Sequence, residues 1–92
     1  MDINTAFGKA LKSFRLAKGY TQEDFAEVSS RTYISSLERG LKSPTIEKIN
    51  EIANEMNICP VALMVLAYAY LKDENTMQVI DKAQAQLNSL IN

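Results

Sequence analysis

The sequence contains no histidine and no tryptophan, and it has only one cysteine, two prolines and three glycines. Without histidine, the chain lacks the commonest general base and the commonest metal ligand, which argues against catalytic triads and zinc sites. A single cysteine cannot close a disulfide within the chain, and this suits a reducing compartment. Because no nucleophile–base pair is apparent either, we expect no enzymatic activity, no cofactor and no metal site.

The length and the apolar content also bound the fold. Ninety-two residues, 47% of them apolar, form a single small core, and a chain of this size buries only about 60–65% of its unfolded surface. Residues 1–4 lack a basic flank that leads into an apolar segment, so no signal peptide is predicted. The longest apolar run, residues 61–71, is shorter than the about 20 residues that span a bilayer. We therefore expect a cytoplasmic protein that does not bind membranes.

The charged residues are unevenly distributed. The formal net charge of −1 is unlike the basic composition typical of nucleic-acid-binding domains. However, residues 1–48 hold eight basic and six acidic residues, whereas residues 49–92 hold two basic and five acidic ones. This asymmetry indicates a first half that faces nucleic acid, although a solvated surface with uneven charge fits the same counts.

The spacing of apolar residues predicts six helices and no strand. The first begins near Asn4 or Thr5, either of which can cap it, and the fourth begins with Pro44 in its first turn. Gly40 and Asn57 are expected to end helices in the left-handed conformation. The first five helices are predicted over about residues 5–18 and 21–28, between Ser29 or Ser30 and Gly40, from Ser43-Pro44 to Asn57, and from Pro60 to Leu71.

Two short predicted helices separated by about three residues are the sequence pattern of a helix-turn-helix. Ala26 is the small residue that the crossing of the two helices needs, and Ile34 with Leu37 gives the second helix one apolar face. No acid precedes Glu38 in that second helix, so nothing near its start repels phosphate. Its polar face consists of Arg31, Thr32, Ser35 and Ser36.

Motifs distributed from Phe7 to Ala53 match the order and spacing of a known family. They are Phe7-Gly8, Leu11, Arg15, Gly19, Thr21-Gln22-Glu23, Phe25-Ala26, Tyr33-Ile34-Ser35, Leu37-Glu38-Arg39-Gly40, Ser43-Pro44-Thr45-Ile46 and Ile52-Ala53. With them the sequence resembles the Cro/CI-like (XRE) family of helix-turn-helix regulators over about residues 7–66. The resemblance implies an all-α fold, in which a compact five-helix, lambda-repressor-like DNA-binding domain (residues 1–71) precedes an additional C-terminal helix (residues 72–92).

The segment before the second helix of the motif, the recognition helix, is shorter here than in most family members. Val28 runs directly into Ser29-Ser30-Arg31. Either the turn is tighter than usual or the preceding helix ends earlier.

The resemblance also implies the residues that contact DNA. Gln22, at the start of the second helix, matches a phosphate-binding position. Arg31 and Thr32 match the front of the recognition helix, where an arginine either makes a bidentate contact with guanine or binds a phosphate. Arg39 and Lys42 match positions near the sugar-phosphate backbone. The full predicted set is Gln22, Arg31, Thr32, Tyr33, Ser35, Ser36, Arg39 and Lys42, in which Tyr33 packs against the domain or a phosphate.

A structural ion pair is implied by the same resemblance. Arg15 and Glu38 match residues that tie the first helix to the end of the recognition helix. We interpret this pair as part of the scaffold, so Arg15 is not counted as a DNA contact.

The C-terminal third predicts an interface between subunits. Residues 61–71 are apolar on all sides and must be covered on more than one face. A second apolar stripe follows after residue 75, in a helix that either folds back on its own domain or crosses to a partner. We predict homodimerisation through Leu66, Tyr68, Tyr70, Met77, Ile80, Leu87 and Ile91.

The sequence thus predicts a homodimeric transcriptional regulator, a repressor or autoregulator, that binds a palindromic double-stranded DNA operator through the recognition helix. An antitoxin whose C-terminal helices bind a partner protein and a restriction–modification controller protein share this fold and stay open. A protein-interaction module that does not bind DNA is the alternative from a different functional class.

Overall fold

Residues 1–91 form five α-helices and one short 3-10 helix. The structure is a computed structural model that describes residues 1–91, so Asn92, the end of the predicted C-terminal segment, lies outside the described residues. No β-strand occurs within residues 1–91, and the all-α prediction is confirmed. The elements are α1 (Ile3–Ala17), the 3-10 helix (Gln22–Phe25), α2 (Arg31–Glu38), α3 (Ile46–Glu55), α4 (Pro60–Lys72) and α5 (Thr76–Ile91).

The helices α1, α2, α3 and α4 share one apolar core with the 3-10 helix. The four α-helices contribute buried side chains at helical spacing, and the 3-10 helix contributes Phe25. The short helix α2 has two fully buried side chains in this core, Ile34 and Leu37. The largest fully buried side chains are Leu11, Phe25, Ile34, Leu37, Ile52, Met56 and Leu63.

Side-chain caps decide where the helices begin. The Asp2 carboxylate accepts a hydrogen bond from the Thr5 amide at 2.8 Å, so α1 begins earlier than predicted and neither Asn4 nor Thr5 caps it. This bond holds the pKa of the Asp2 carboxyl below its usual value. Thr45 caps α3 in the same way, which leaves Pro44 before the helix rather than in its first turn. In both cases the cap is a side chain with a free oxygen acceptor.

The second predicted helix, residues 21–28, is mostly not a helix. Only Gln22–Phe25 is helical, and it is a 3-10 turn closed by a bond from the Thr21 amide to the Asp24 carboxylate at 2.7 Å. Of the two alternatives for the shortened segment, the helix therefore ends earlier, because a segment this short closes with tight i→i+3 bonds. Ala26 is exposed, so it is not the small residue at a helix crossing.

A close crossing between a different pair of helices lies at Gly8. There α1 meets the C-terminal end of α2, and a Cβ atom on Gly8 would lie 2.4 Å from the Leu37 carbonyl oxygen and 2.6 Å from that of Glu38. Since both atoms belong to the backbone, no side-chain rotation can make room. Glycine at this position therefore allows α1 and α2 to pack together.

The C-terminal helices leave much apolar surface uncovered. α4 buries Leu63 and Ala67 but exposes Val61 and Tyr68 on another face. α5 contacts α4 but contains no buried residue. No single helix within residues 1–91 is long and apolar enough to cross a membrane; α3 and α4 together meet the length and composition, but the pair is bent by 110°.

Candidate nucleic-acid interface

The two faces of α2 have different roles. Ile34 and Leu37 are fully buried, whereas Arg31 and Thr32 at the N-terminal end are exposed. The Ser30 hydroxyl caps the helix by accepting the Tyr33 amide at 3.1 Å. No acidic residue lies in the first turn. The polar positions predicted to face DNA, Arg31, Thr32, Ser35 and Ser36, are exposed or half-buried.

Arg15 and Glu38 form a bidentate ion pair between α1 and the end of α2. Arg15 Nε lies 2.6 Å from Glu38 Oε2, and Arg15 Nη2 lies 3.0 Å from Glu38 Oε1. The side chains are only 10% and 5% exposed, and Arg15 Nη1 also donates to the Tyr20 carbonyl at 3.0 Å. The hydrogen bonds that Arg15 donates to the Glu38 carboxylate raise the pKa of the Arg15 guanidinium. The pair therefore fixes the C-terminal end of α2 against α1.

Gln22 is attached to this ion pair. Its Nε2 donates to Glu38 Oε1 at 3.2 Å, and the side chain is half-buried. A side-chain amide has two hydrogens on its nitrogen, so one stays available for another acceptor. Gln22, the residue predicted to bind a phosphate, is thus held at the junction of the 3-10 helix and α2.

Arg31 forms an exposed ion pair with Glu23 of the 3-10 helix. Arg31 Nε lies 2.8 Å from Glu23 Oε1, and the two side chains are 65% and 64% exposed. Sequence analysis missed this contact because the two residues lie in different elements on either side of an irregular turn. Helical periodicity carries no information about such a pair.

The other predicted DNA-binding residues lie at or after the end of α2, or on its side. Arg39 Nε donates to the Ser35 carbonyl at 3.4 Å, and Arg39 and Lys42 are both exposed. Tyr33 is half-buried and packs against the core. The two basic residues thus stand beyond the C-terminal end of the helix whose N-terminal end carries Arg31.

Lys48 supports the turn before α2, which the sequence did not suggest. Its Nζ donates to the Val28 carbonyl at 2.5 Å and lies 3.8 Å from Glu51 Oε1. The Lys48 ammonium group thereby donates a hydrogen bond to a backbone carbonyl that lies in the turn, outside any helix. Its partner is a backbone atom 20 residues away, which no residue pattern indicates.

The predicted dimer residues do not all lie together. Leu66 and Ile80 line a shared apolar groove of about 400 Å³, together with Phe14. Tyr70 instead faces α1, where its hydroxyl lies 2.9 Å from Ser13 Oγ. The remaining predicted residues, Tyr68, Met77, Leu87 and Ile91, are exposed on α4 and α5.

Comparison with known proteins finds similarity over the same region. A family model described as "Helix-turn-helix" matches residues 11–63, more than half of the chain. An uncharacterized HTH-type transcriptional regulator, y4dJ of Sinorhizobium fredii, is 36% identical over 66 residues, which cover 70% of this chain and 86% of y4dJ.

Two solved structures are also similar. The clp gene regulator ClgR of Corynebacterium glutamicum matches with a TM-score of 0.72 and 30% identity, over 76% of this chain and 94% of ClgR. The restriction-modification controller protein C.Esp1396I, solved as a tetramer with its natural 35 base-pair operator, matches with a TM-score of 0.66 and 30% identity, over 74% of this chain and 92% of that one.

Proposed function

This chain belongs to the XRE-type family of helix-turn-helix transcriptional regulators, and on that basis we propose that it binds a palindromic operator as a homodimer and acts as a repressor or autoregulator. The observation that carries the proposal is the position of Arg31 and Thr32. Both extend into solvent from the start of α2, whose opposite face is anchored in the core. The major groove of B-DNA admits an α-helix, and side chains at its N-terminal end can reach base edges.

The proposed contacts divide into two classes. Arg31 reads a base, supported at the groove floor by the short polar side chains of α2. Gln22 holds a phosphate with the amide hydrogen that Glu38 does not use, and Arg39 and Lys42 bind the flanking backbone. Backbone contacts set the register of the protein on DNA without carrying sequence information. The proposed set remains Gln22, Arg31, Thr32, Tyr33, Ser35, Ser36, Arg39 and Lys42.

Selection of bound sites from random double-stranded DNA tests this proposal. We expect the wild-type protein to enrich a palindromic motif, and Arg31→Ala to lose the preference at one symmetric pair of positions. The expected loss of discrimination is about 1–3 kcal/mol per half-site, as for an arginine–guanine contact. Lys72→Ala, which removes a positive charge at the end of α4, is the control and should keep the motif. Failure of the wild-type protein to enrich any site would favour a protein-interaction module.

The homodimer is proposed from the uncovered surface of α4 and α5. One recognition helix reads only a few base pairs, whereas a two-fold dimer reaches two half-sites about 34 Å apart. α5 contains no buried residue, and helices in proteins gain most of their stability from the packing of an apolar face, so a partner that covers α5 adds stability. We propose residues 1–71 as the DNA-binding domain and residues 72–92 as a dimerisation helix. The interface includes Leu66, Tyr68, Tyr70, Met77, Ile80, Leu87 and Ile91.

Sedimentation over a concentration series measures the assembly. We expect a dimer at tens of micromolar, and we expect Leu87→Asp to shift the equilibrium toward monomer because it puts a charge into an apolar contact. Ser89→Asp adds the same charge on the opposite side of α5, by helix geometry, and should leave the dimer intact. A wild-type protein that sediments only as monomer would contradict the proposal.

A restriction–modification controller is the second candidate role, favoured by the similarity to C.Esp1396I. Both roles place the protein with the DNA in the cytoplasm. They make the same use of α2 and differ in the genes controlled. The sequence of the selected operator, compared with the DNA upstream of the protein's own gene and of neighbouring genes, distinguishes them.

A further inference from the structure

Glu23 is the acidic residue nearest to the proposed reading side chain, and we infer that it positions Arg31 for base recognition. The inference rests on the proposed function, since it requires that Arg31 contacts a base. Glu23 would be a positioning residue that sharpens sequence discrimination although it repels DNA.

The geometry of the pair leaves the reading end of Arg31 free. The carboxylate oxygen of Glu23 approaches Nε, at 2.8 Å. Within residues 1–91, Arg31 donates no side-chain hydrogen bond, so the contact with Glu23 is an ion pair and both Nη atoms are without a partner. The guanidinium has five N–H donors in a planar fork, and an ion pair at Nε leaves the four hydrogens on the two Nη atoms available. Two parallel donors at the end of the fork match the O6 and N7 acceptors of guanine.

The carboxylate also restricts where the guanidinium can be. A free arginine side chain samples many rotamers, and ordering it on binding costs entropy. A contact that is already present in the unbound protein lowers that cost for one orientation, which is the general benefit of preorganisation. Glu23 belongs to the 3-10 helix, which is fixed by buried Phe25 and by the bond between Thr21 and Asp24. The support for Arg31 is therefore attached to the core.

The same carboxylate lowers overall affinity for DNA. A negative charge beside the proposed interface repels phosphates whatever the base sequence, and this repulsion is screened by salt. Glu23 therefore has two separable effects. It reduces non-specific affinity through its charge, and it increases the preference for one base pair through its contact with Arg31.

Glu27 is the matched control. It lies four residues after Glu23 and is exposed, and among the described residues its side chain makes no ion pair or hydrogen bond. Glu23→Gln and Glu27→Gln each remove one negative charge close to α2, but only the first removes the contact with Arg31. Asp24 is unsuitable as a control because its carboxylate caps the 3-10 helix.

The test measures the affinity of full-length wild-type and variant proteins for the selected operator, for operators substituted at the base pair that Arg31 reads, and for unrelated DNA. We expect both Gln variants to bind unrelated DNA more tightly. Only Glu23→Gln should lose discrimination at the Arg31 base pair, by about two- to fivefold, the range of an exposed ion pair. In the Arg31→Ala background, Glu23→Gln should change discrimination no further.

The two hypotheses fail differently. If Arg31→Ala changes the base preference but Glu23→Gln and Glu27→Gln behave alike, Glu23 acts through charge only and the inference is wrong. If Arg31→Ala leaves the preference unchanged, or the wild-type protein selects no site, the proposed function of Arg31 is wrong and the inference falls with it.

Discussion

Replacement of Glu38 by alanine is expected to lower the free energy of unfolding by about 3–5 kcal/mol, because it strands a buried charge. The Arg15 side chain is only 10% exposed and would keep a single backbone acceptor, the Tyr20 carbonyl. A guanidinium in that position cannot lose its proton, so it has to remain as an unpaired cation or move toward solvent. Urea denaturation of Glu38→Ala and of the wild-type protein, fitted with the same dependence of the unfolding free energy on urea concentration, measures the change.

Glu23→Ala provides the comparison for Glu38→Ala. It breaks an ion pair of similar length, but with both side chains about two-thirds exposed, and exposed pairs contribute less than about 1 kcal/mol. Replacement of both Arg15 and Glu38 by apolar residues should cost less than Glu38→Ala alone, since no charge is then left buried. Equal stability of Glu38→Ala and wild type would show that the ion pair does not hold the scaffold.

Gly8→Ala is expected to destabilise the protein by about 1–3 kcal/mol, the usual cost of an overpacked contact. The direction of this change in stability is informative, because alanine in place of glycine inside a helix normally stabilises a protein by about 0.5–1 kcal/mol. Here the added methyl group would meet two backbone carbonyl oxygens at 2.4 and 2.6 Å, so α1 and α2 must move apart. Thermal unfolding of the variant beside wild type measures the shift.

A higher melting temperature for Gly8→Ala would mean that α2 can shift at little cost. The Arg15–Glu38 ion pair indicates that the C-terminal end of α2 is held rigidly against α1. A higher melting temperature would contradict that interpretation.

Local patterns predicted the long helices well. The apolar stripes of α1 and α3 identify their buried faces, and Gly40 and Asn57 both take positive φ as expected, at 74° and 57°. These features depend on residues three or four positions apart, or on one residue's own conformation. The sequence alone is sufficient for such features.

The parts that the sequence missed depend on contacts between elements. The predicted helix at residues 21–28 is a 3-10 turn in which Phe25 is buried in the core and after which Ala26 stays exposed. The prediction that Ala26 lies at the crossing of the two motif helices is wrong, and the close approach at Gly8 belongs to α1 and α2. Periodicity predicts neither feature, because both depend on how the elements pack together.

The candidate interface shows the same division. The polar face of α2 follows from the spacing of Ile34 and Leu37, and the pairing of Arg15 with Glu38 came only through family resemblance. The contacts of Glu23 with Arg31 and of Gln22 with Glu38 required the structure. Both join the 3-10 helix to α2 across a turn, and no regular spacing connects residues across a turn.

The anchoring of α2 by two buried side chains has a consequence for divergence. Ile34 and Leu37 hold the helix in place, while Arg31 and Thr32 are exposed and contribute little to the core. Substitutions at exposed positions usually change stability by less than about 0.5 kcal/mol. With the role in DNA recognition that we propose for Arg31 and Thr32, descendants of this chain can acquire new operator preferences at these positions while they keep the same fold. Target choice and foldability then evolve on different side chains of one eight-residue helix.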